Sequence, residues 1–266
     1  MKKLICIDLD GTLLKDNGTV SKNTIDVITK VQNQGNEVVI CTARARNFAI
    51  NISKKLNASK YVITSNGAEI YDYRSNKVIY SDGIDKSIID DIWKYCQSIG
   101  LKVSLAIDDK EYVNVKFRNG QIVIEKYSKL VNDYRNIKQC MIVSNDYEKL
   151  TKYLKICKKN RNVKLSADKA ILEECGYWFS LLSPMANKGN GIYQLSKKLD
   201  IGKENIISFG NDLNDVTMFE NSGCNIAVSN SEEQLLKLAD IITLSNEEDG
   251  VADWLNKNIL LNKNKS

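Results

Sequence analysis

The sequence predicts an α/β fold, a parallel sheet flanked by helices, with a second α+β unit inserted into it. Three observations carry that prediction. Apolar runs of strand length alternate with helix-spaced segments from Lys3 to Thr64. Near Asp82 the alternation gives way to a helix followed by strands, a rhythm that occurs twice before Pro184. It resumes at Lys188 with a helix, a strand and an acidic turn.

Lys3 to Ile7 is a short buried-strand run, and Ser21 to Asn33 carries Ile25, Ile28 and Val31 at helical spacing. Ser21 is placed to cap that helix, and Gly35 ends it. Glu37 to Cys41 reads as the second strand, Arg46 to Leu56 as the second helix and Tyr61 to Thr64 as the third strand. Strands joined through helices pair in parallel by right-handed crossovers, so their carboxyl ends lie along one sheet edge. Ligands of such sheets bind outside that edge. The rule gathers Asp8 and Asp10, then Thr42 and Arg44, then Ser65, Asn66 and Gly67 around one crevice.

In the middle of the chain, Ser87 to Ile99 reads as a helix with Ile88, Ile89, Ile92 and Trp93 on its apolar face. Val103 to Ala106 and Glu111 to Val115 read as strands around the turn signal Asp108-Asp109, and Gln139 to Val143 as another. Tyr147 to Lys158 is helical, followed by strand patterns at Val163 to Leu165, Ile171 to Glu174 and Tyr177 to Leu182. Such a pattern predicts a helix layer on an antiparallel sheet. Tyr112, Tyr177 and Trp178 read as core aromatics, the commoner role for such residues in strands. Residues 1–81 and 185–266 are thus assigned to the parallel-sheet core and 82–184 to the insertion, which ends at the single proline, Pro184. Lys188-Gly189 then opens a helix through Leu199, and a strand at Ile206 to Phe209 runs into Gly210-Asn211-Asp212-Leu213-Asn214-Asp215.

Composition narrows the function. The 266 residues carry a net charge of +5 with lysines spread along the chain, so no concentrated basic face points to nucleic acid. No apolar stretch approaches the length that spans a bilayer. The seven cysteines, at 6, 41, 96, 140, 157, 175 and 224, form no C-x-x-C pair or metal-ligand spacing. Cys6 and Cys41 lie inside strand runs as small buried thiols. An odd thiol count and no signal peptide ahead of Met1-Lys2-Lys3 predict a cytoplasmic protein. There is no histidine, so acid–base chemistry falls chiefly to carboxylates.

The run Ile5-Cys6-Ile7-Asp8-Leu9-Asp10-Gly11-Thr12-Leu13-Leu14 is the most informative. Side chains two apart on an extended segment share a face, so Asp8 and Asp10 are expected to reach one small substrate. Gly11 lets the chain turn and bring backbone N–H groups to a phosphate. Two carboxylates at a buried strand end repel unless a cation lies between them. Lys188 at a helix start can add its ammonium to the positive helix end, although a lone lysine is more often solvated. Asp212 and Asp215 alone would read as helix caps.

In order and placement, Ile5 to Leu14, Ile40 to Arg44, Lys188 and Phe209 to Asp215 resemble the four motifs of the haloacid-dehalogenase-like phosphatases. The segment Ile63-Thr64-Ser65-Asn66-Gly67-Ala68-Glu69-Ile70-Tyr71, the position of the insertion and the closing Ser245-Asn246-Glu247-Glu248-Asp249-Gly250-Val251 resemble the Cof-type branch. The resemblance implies a Rossmann-like core with an inserted cap acting as a substrate-selecting lid, and a Mg²⁺-dependent phosphomonoesterase of small phosphorylated metabolites, sugar phosphates foremost. It implies Asp8 as the nucleophile that becomes an aspartyl-phosphate, Asp10 as general acid and base, and Thr42 and Lys188 as the groups that bind the transferring phosphoryl oxygens. Gly11, Ala43, Arg44, Asn66 and Asn214 are expected to line the substrate. Mg²⁺ is expected on Asp8, the Asp10 carbonyl and Asn211, with Asp215 behind them and Asp212 as an alternative ligand, directly or through water. The pattern usually has an acid where Asn211 stands, and glycine where Ala43 stands. A phosphomutase sharing the aspartyl-phosphate, and a phosphometabolite-binding protein with weakened catalysis, are the alternative readings.

Overall fold

A computed structural model of the chain describes residues 2–107, 110–117, 119–124, 137–172 and 176–261. The chain divides into two compact units, Met1–Tyr80 with Asn187–Ser266, and Ser81–Ala186.

In the first unit the elements run β1 (Leu4–Ile7), α1 (Lys22–Asn33), β2 (Glu37–Cys41), α2 (Arg46–Lys55), β3 (Tyr61–Thr64), β4 (Glu69–Asp72) and β5 (Lys77–Ser81). After the insertion come, in sequence order, a helix at Lys188–Leu199, a strand at Ile206–Gly210, a helix at Val216–Glu220, a strand at Cys224–Val228, a helix at Glu233–Leu236, a strand at Ile241–Thr243 and a helix at Gly250–Leu255. With the insertion counted, these are α5, β12, α6, β13, α7, β14 and α8. The sheet order is β14-β13-β12-β1-β2-β3-β4-β5. Strands from β14 to β3 are parallel, and β4 turns back antiparallel to β3. Successive strands leave β1 in opposite directions, so the carboxyl ends of β1 and β12 form the crevice where such sheets bind ligands.

Both sheet faces are covered, which explains why the strands read as continuous apolar runs. Ile5, Ile7, Val38 and Ile40 face one core with Ile28 and Val31 of α1 and Leu255 of α8. Leu4, Cys6, Val39 and Cys41 face the other with Ile192 and Leu195 of α5. The cap of α1 is as expected: Ser21 Oγ accepts from Thr24 N at 3.0 Å, and Gly35 with φ +88° leads out of the helix. The hairpin of β4 and β5 is an addition to the sequence reading. Its second strand is half-buried or exposed, and without a buried face the alternation carries little signal.

The inserted unit contains α3 (Lys86–Ser98), β6 (Lys102–Ile107), β7 (Lys110–Val113), β8 (Ile122–Val123), β9 (Ile137–Ser144), α4 (Tyr147–Cys157), β10 (Lys164–Leu172) and β11 (Gly176–Leu182). Its sheet order is β10-β11-β9-β6-β7-β8, antiparallel except for the parallel pair β7 and β8. Asp85 and Asp146 cap the two helices. Ile89, Trp93 and Cys96 of α3 and Leu150 and Tyr153 of α4 pack on Val103, Leu105, Ile142 and Phe179 of the sheet. Tyr112 belongs to this core, while Trp178 packs on Met141 and Val143.

One correction concerns β10. The sequence suggests separate strands at Val163 to Leu165 and Ile171 to Glu174, whereas one strand spans Lys164–Leu172 with two register shifts against β11. The two shifts fall at Ser166 and at Asp168-Lys169, the polar residues that break the apolar pattern, and the strand resumes its pairing beyond each. The turn signal Asp108-Asp109, the end of the predicted strand at Glu174, and Cys175 lie outside the described residues. Cys6, Cys41, Cys96, Cys140 and Cys157 are free and buried, and burial pushes their thiols up from the usual value. Among the described residues no helix is long and apolar enough to cross a membrane.

Candidate active site

Alternation along β1 directs Leu4 and Cys6 toward α5, and the next side chain of that parity is Asp8. Its N–H continues the ladder to Phe209 O of β12 at 3.1 Å. α5 starts at Lys188 behind the cap residue Asn187, so the lysine enters the sheet edge from the helix's first turn. Lys188 Nζ lies 2.6 Å from Asp8 Oδ1 and 2.6 Å from Asp215 Oδ1, with the lysine only 1% exposed. Asp215 also fixes the loop after β12, because its Oδ2 accepts from Asn211 N at 2.9 Å and Asp212 N at 3.1 Å.

Burial dominates the electrostatics. It pushes Asp8 up to about 7, against the pull of Lys188 and with the further push of Asp215. Burial also works against the Lys188 ammonium, but Asp215 and Asp8 outweigh it and hold the group above the ordinary lysine value. Two carboxylates share one ammonium, leaving one negative charge in excess in a water-poor place. A bound cation or proton would relieve it.

The turn after β1 supplies a further contact. Thr12 Oγ1 donates to Asp8 Oδ2 at 3.0 Å. Gly11 has φ +77°, and a Cβ there would collide with the Asn211 carboxamide. One terminus of that carboxamide lies 2.9 Å from Thr12 Oγ1, 3.2 Å from Asp8 Oδ2 and 3.0 Å from the Asp10 carbonyl oxygen. Asp8 Oδ2, Asp10 O and Asn211 thus converge as oxygen-bearing groups beside the excess negative charge. This donor set fits a hard divalent cation such as Mg²⁺. Asp212 is exposed and spends its carboxylate on the N–H of Leu213 at 2.6 Å, as a cap of the turn Leu213–Asp215.

Asp10 parts from Asp8. The strand ends at Ile7, so the two-residue periodicity does not extend to Asp10, which is exposed and held by Arg44. Arg44 Nε lies 2.7 Å from Asp10 Oδ2 and Nη2 2.5 Å from Oδ1, with the guanidinium 3.9 Å over the Phe48 ring. Thr42 is fully buried, and its hydroxyl accepts from Arg44 N at 3.1 Å. The β2 and β3 loops are tied together: Ser65 N donates to Arg44 O and Asn66 N to Thr42 O, both at 3.1 Å. Ser65, Asn66 and Gly67 all have positive φ, at 51°, 53° and 84°. Consecutive left-handed residues are costly and mark a loop over-determined by its surroundings. Asn214 Nδ2 donates to Asn66 Oδ1 at 3.2 Å, while Asn214 Oδ1 is buried without a partner. Ala43 is exposed on the same loop.

Four further residues serve this edge. Thr12 follows the Asp-Gly pair, and that position was its only signal. Asn230 Nδ2 donates to Gly11 O at 2.8 Å, and Asn246 Nδ2 to Leu14 O at 2.9 Å. Asn246 N also donates to Asn230 Oδ1 at 3.0 Å, so the closing Ser245 to Val251 segment braces the turn after β1. Buried Glu69 takes both forks of Arg46, at 2.8 and 2.6 Å, and pins the start of α2 to β4.

Residues 5–255 match the haloacid dehalogenase-like hydrolase family. The chain belongs to that family. The expected enzyme class is borne out, and relatives matched over nearly their whole length are phosphatases. Phosphatase YwpJ of Bacillus subtilis is 29% identical, with 95% of this chain and 98% of the relative covered. The 5-amino-6-(5-phospho-D-ribitylamino)uracil phosphatase YcsE of the same organism is 26% identical, covering 94% and 93%. Among solved structures, TM0651 from Thermotoga maritima superposes with a TM-score of 0.85 at 25% identity, over 97% of each chain. The family hydrolases have the Rossmann-like core and cap that the sequence predicts.

Proposed function

We propose that this hydrolase removes phosphate from small phosphorylated metabolites, sugar phosphates foremost, through an aspartyl-phosphate on Asp8. The observation that carries the reading is the buried Asp8 carboxylate between the Lys188 ammonium and the Thr12 hydroxyl, at the carboxyl end of a central strand. A carboxylate held there is pre-positioned, and attack by it splits one slow hydrolysis into two easier steps.

In this reading Asp8 Oδ2, Asp10 O and Asn211 would hold Mg²⁺, which would supply charge stabilisation to the phosphoryl oxygens. Asp8 Oδ1 attacks phosphorus, and the bond to the leaving alkoxide oxygen breaks. Asp10, once released from Arg44, gives that oxygen a proton, then takes one from the water that cleaves the aspartyl-phosphate and restores Asp8. Lys188 offsets the charge between a carboxylate nucleophile and an anionic substrate. Arg44, Asn66 and Asn214 lie on the loops facing the same edge, where the unpartnered Asn214 Oδ1 offers an acceptor to a substrate hydroxyl. Thr42 shapes the phosphate loop through Arg44 N. The inserted unit, as a lid, would choose the leaving group, since the residues gathered on Asp8 address only the phosphoryl group.

Phosphate release from a panel of phosphorylated metabolites in Mg²⁺ tests the substrate class. Asp8→Asn should abolish turnover on every member while leaving the circular dichroism spectrum intact. Turnover that survives this change removes Asp8 as nucleophile.

A further inference from the structure

Three successive residues in the turn after β13 each hold a carbonyl of the two turns that carry the candidate cation donors. Asn230 Nδ2 donates to Gly11 O at 2.8 Å, Ser231 Oγ to Gly210 O at 3.2 Å and Glu232 N to Asn211 O at 2.9 Å. A loop from a third strand thus bridges the ends of β1 and β12. The Asn230 carboxamide has one orientation, because its Oδ1 accepts from Asn246 N at 3.0 Å while its NH₂ end meets a carbonyl.

Gly11 is where this contact acts. Asp10 O and Gly11 O are successive carbonyls, and a glycine at φ +77° leaves the peptide plane that follows it easily turned. The Asn230 amide fixes that plane. On the opposite turn, Asn211 is held through both backbone groups, its N by Asp215 Oδ2 and its O by Glu232 N. A Cβ on Gly11 would collide with the Asn211 side chain, so the two turns touch and the loop after β13 sets how they meet.

We propose that Asn230 is a positioning residue for the cation: by holding the Gly11 carbonyl it sets the spacing between Asp10 O and Asn211, and with it the affinity for a divalent ion. The proposal rests on the cation reading above and deepens it. Partners that orient metal ligands from behind change affinity by about 10–100-fold when removed.

The test measures the Mg²⁺ dissociation constant by calorimetry for wild type, Asn230→Asp and Asn230→Ala, beside melting in EDTA and the Mg²⁺ dependence of phosphate release. Asn230→Asp keeps an acceptor for Asn246 N and loses only the donor to Gly11 O. Its added negative charge would by itself tighten Mg²⁺ binding. The proposal requires the reverse: both variants should bind Mg²⁺ about tenfold more weakly, melt close to wild type in EDTA because Asn230 is exposed, and recover turnover as Mg²⁺ is raised. A purely structural role would lower the melting temperature and leave the dissociation constant alone. Wild-type or tighter Mg²⁺ binding by either variant, or weaker binding that comes only with a collapsed melt, overturns the role of Asn230 and leaves the phosphatase reading standing. Wild type that releases phosphate but binds no Mg²⁺ overturns Asn230 and the cation site together, with Asp8 as nucleophile untouched.

Discussion

Lys188 shows how much one buried ammonium organises. It is 1% exposed and lies between Asp8 and Asp215. Removing one member of such a pair leaves uncompensated charge, so Lys188→Met should destabilise the fold by about 3–5 kcal/mol, measured by urea unfolding, as well as stop turnover. A variant as stable as wild type would mean that the carboxylates are neutralised by something else. Thr12→Val should cost less, about 1–3 kcal/mol for unsatisfied Asp8 Oδ2, in the same measurement. Lys188 and Asp8 stand far apart in sequence, and their types and spacing point to a task. The split between Asp8, buried with Lys188, and Asp10, exposed on Arg44, was not legible. It depends on β1 stopping at Ile7, which the apolar pattern running on through Leu9 conceals.

Among elements, the β4–β5 hairpin stores an acid-sensitive contribution. Burial works against ionised Asp72, but the N–H of Ser75, the Lys60 ammonium at 3.1 Å and the N–H of Arg74 outweigh it and hold its carboxyl below the usual range. A folded value below the unfolded one, about 3.9, gives stability that is present above the unfolded value and lost as pH falls through the folded one. Urea midpoints followed from about pH 6 to about pH 2 should fall less steeply for Asp72→Asn than for wild type. Parallel curves would contradict this. The turn at Ser65 to Gly67 makes a second demand. Gly67 has φ +84°, and a Cβ would strike Asn187 O at the start of α5. Gly67→Ala should therefore lower the melting temperature and displace Lys188. The sequence marks this loop by its residues, but positive φ at Ser65 and Asn66 has no signature in their types.

The whole molecule has separate cores in its two units. Trp93 lies in the core of the inserted unit and Trp254 in that of the first, so single-tryptophan variants report each core. Phe179→Ala should cost the inserted unit about 3–5 kcal/mol, lowering the urea midpoint seen by Trp93 fluorescence and leaving that of Trp254 in place. A joint shift of both signals would show that the units unfold as one.

The alternating pattern, the caps and the order of the acidic turns determined the α/β class, most strand and helix positions and the family. These are local properties, written in side-chain types at periods of two and 3.6. Only the tertiary structure decided which oxygen of Asp8 meets Lys188, that Asp212 caps a turn at the surface, and that the Asn211 carboxamide meets the Thr12 hydroxyl beside Asp8. Such contacts join residues up to 199 positions apart, and their geometry follows from packing two faces of one sheet, which no local pattern records.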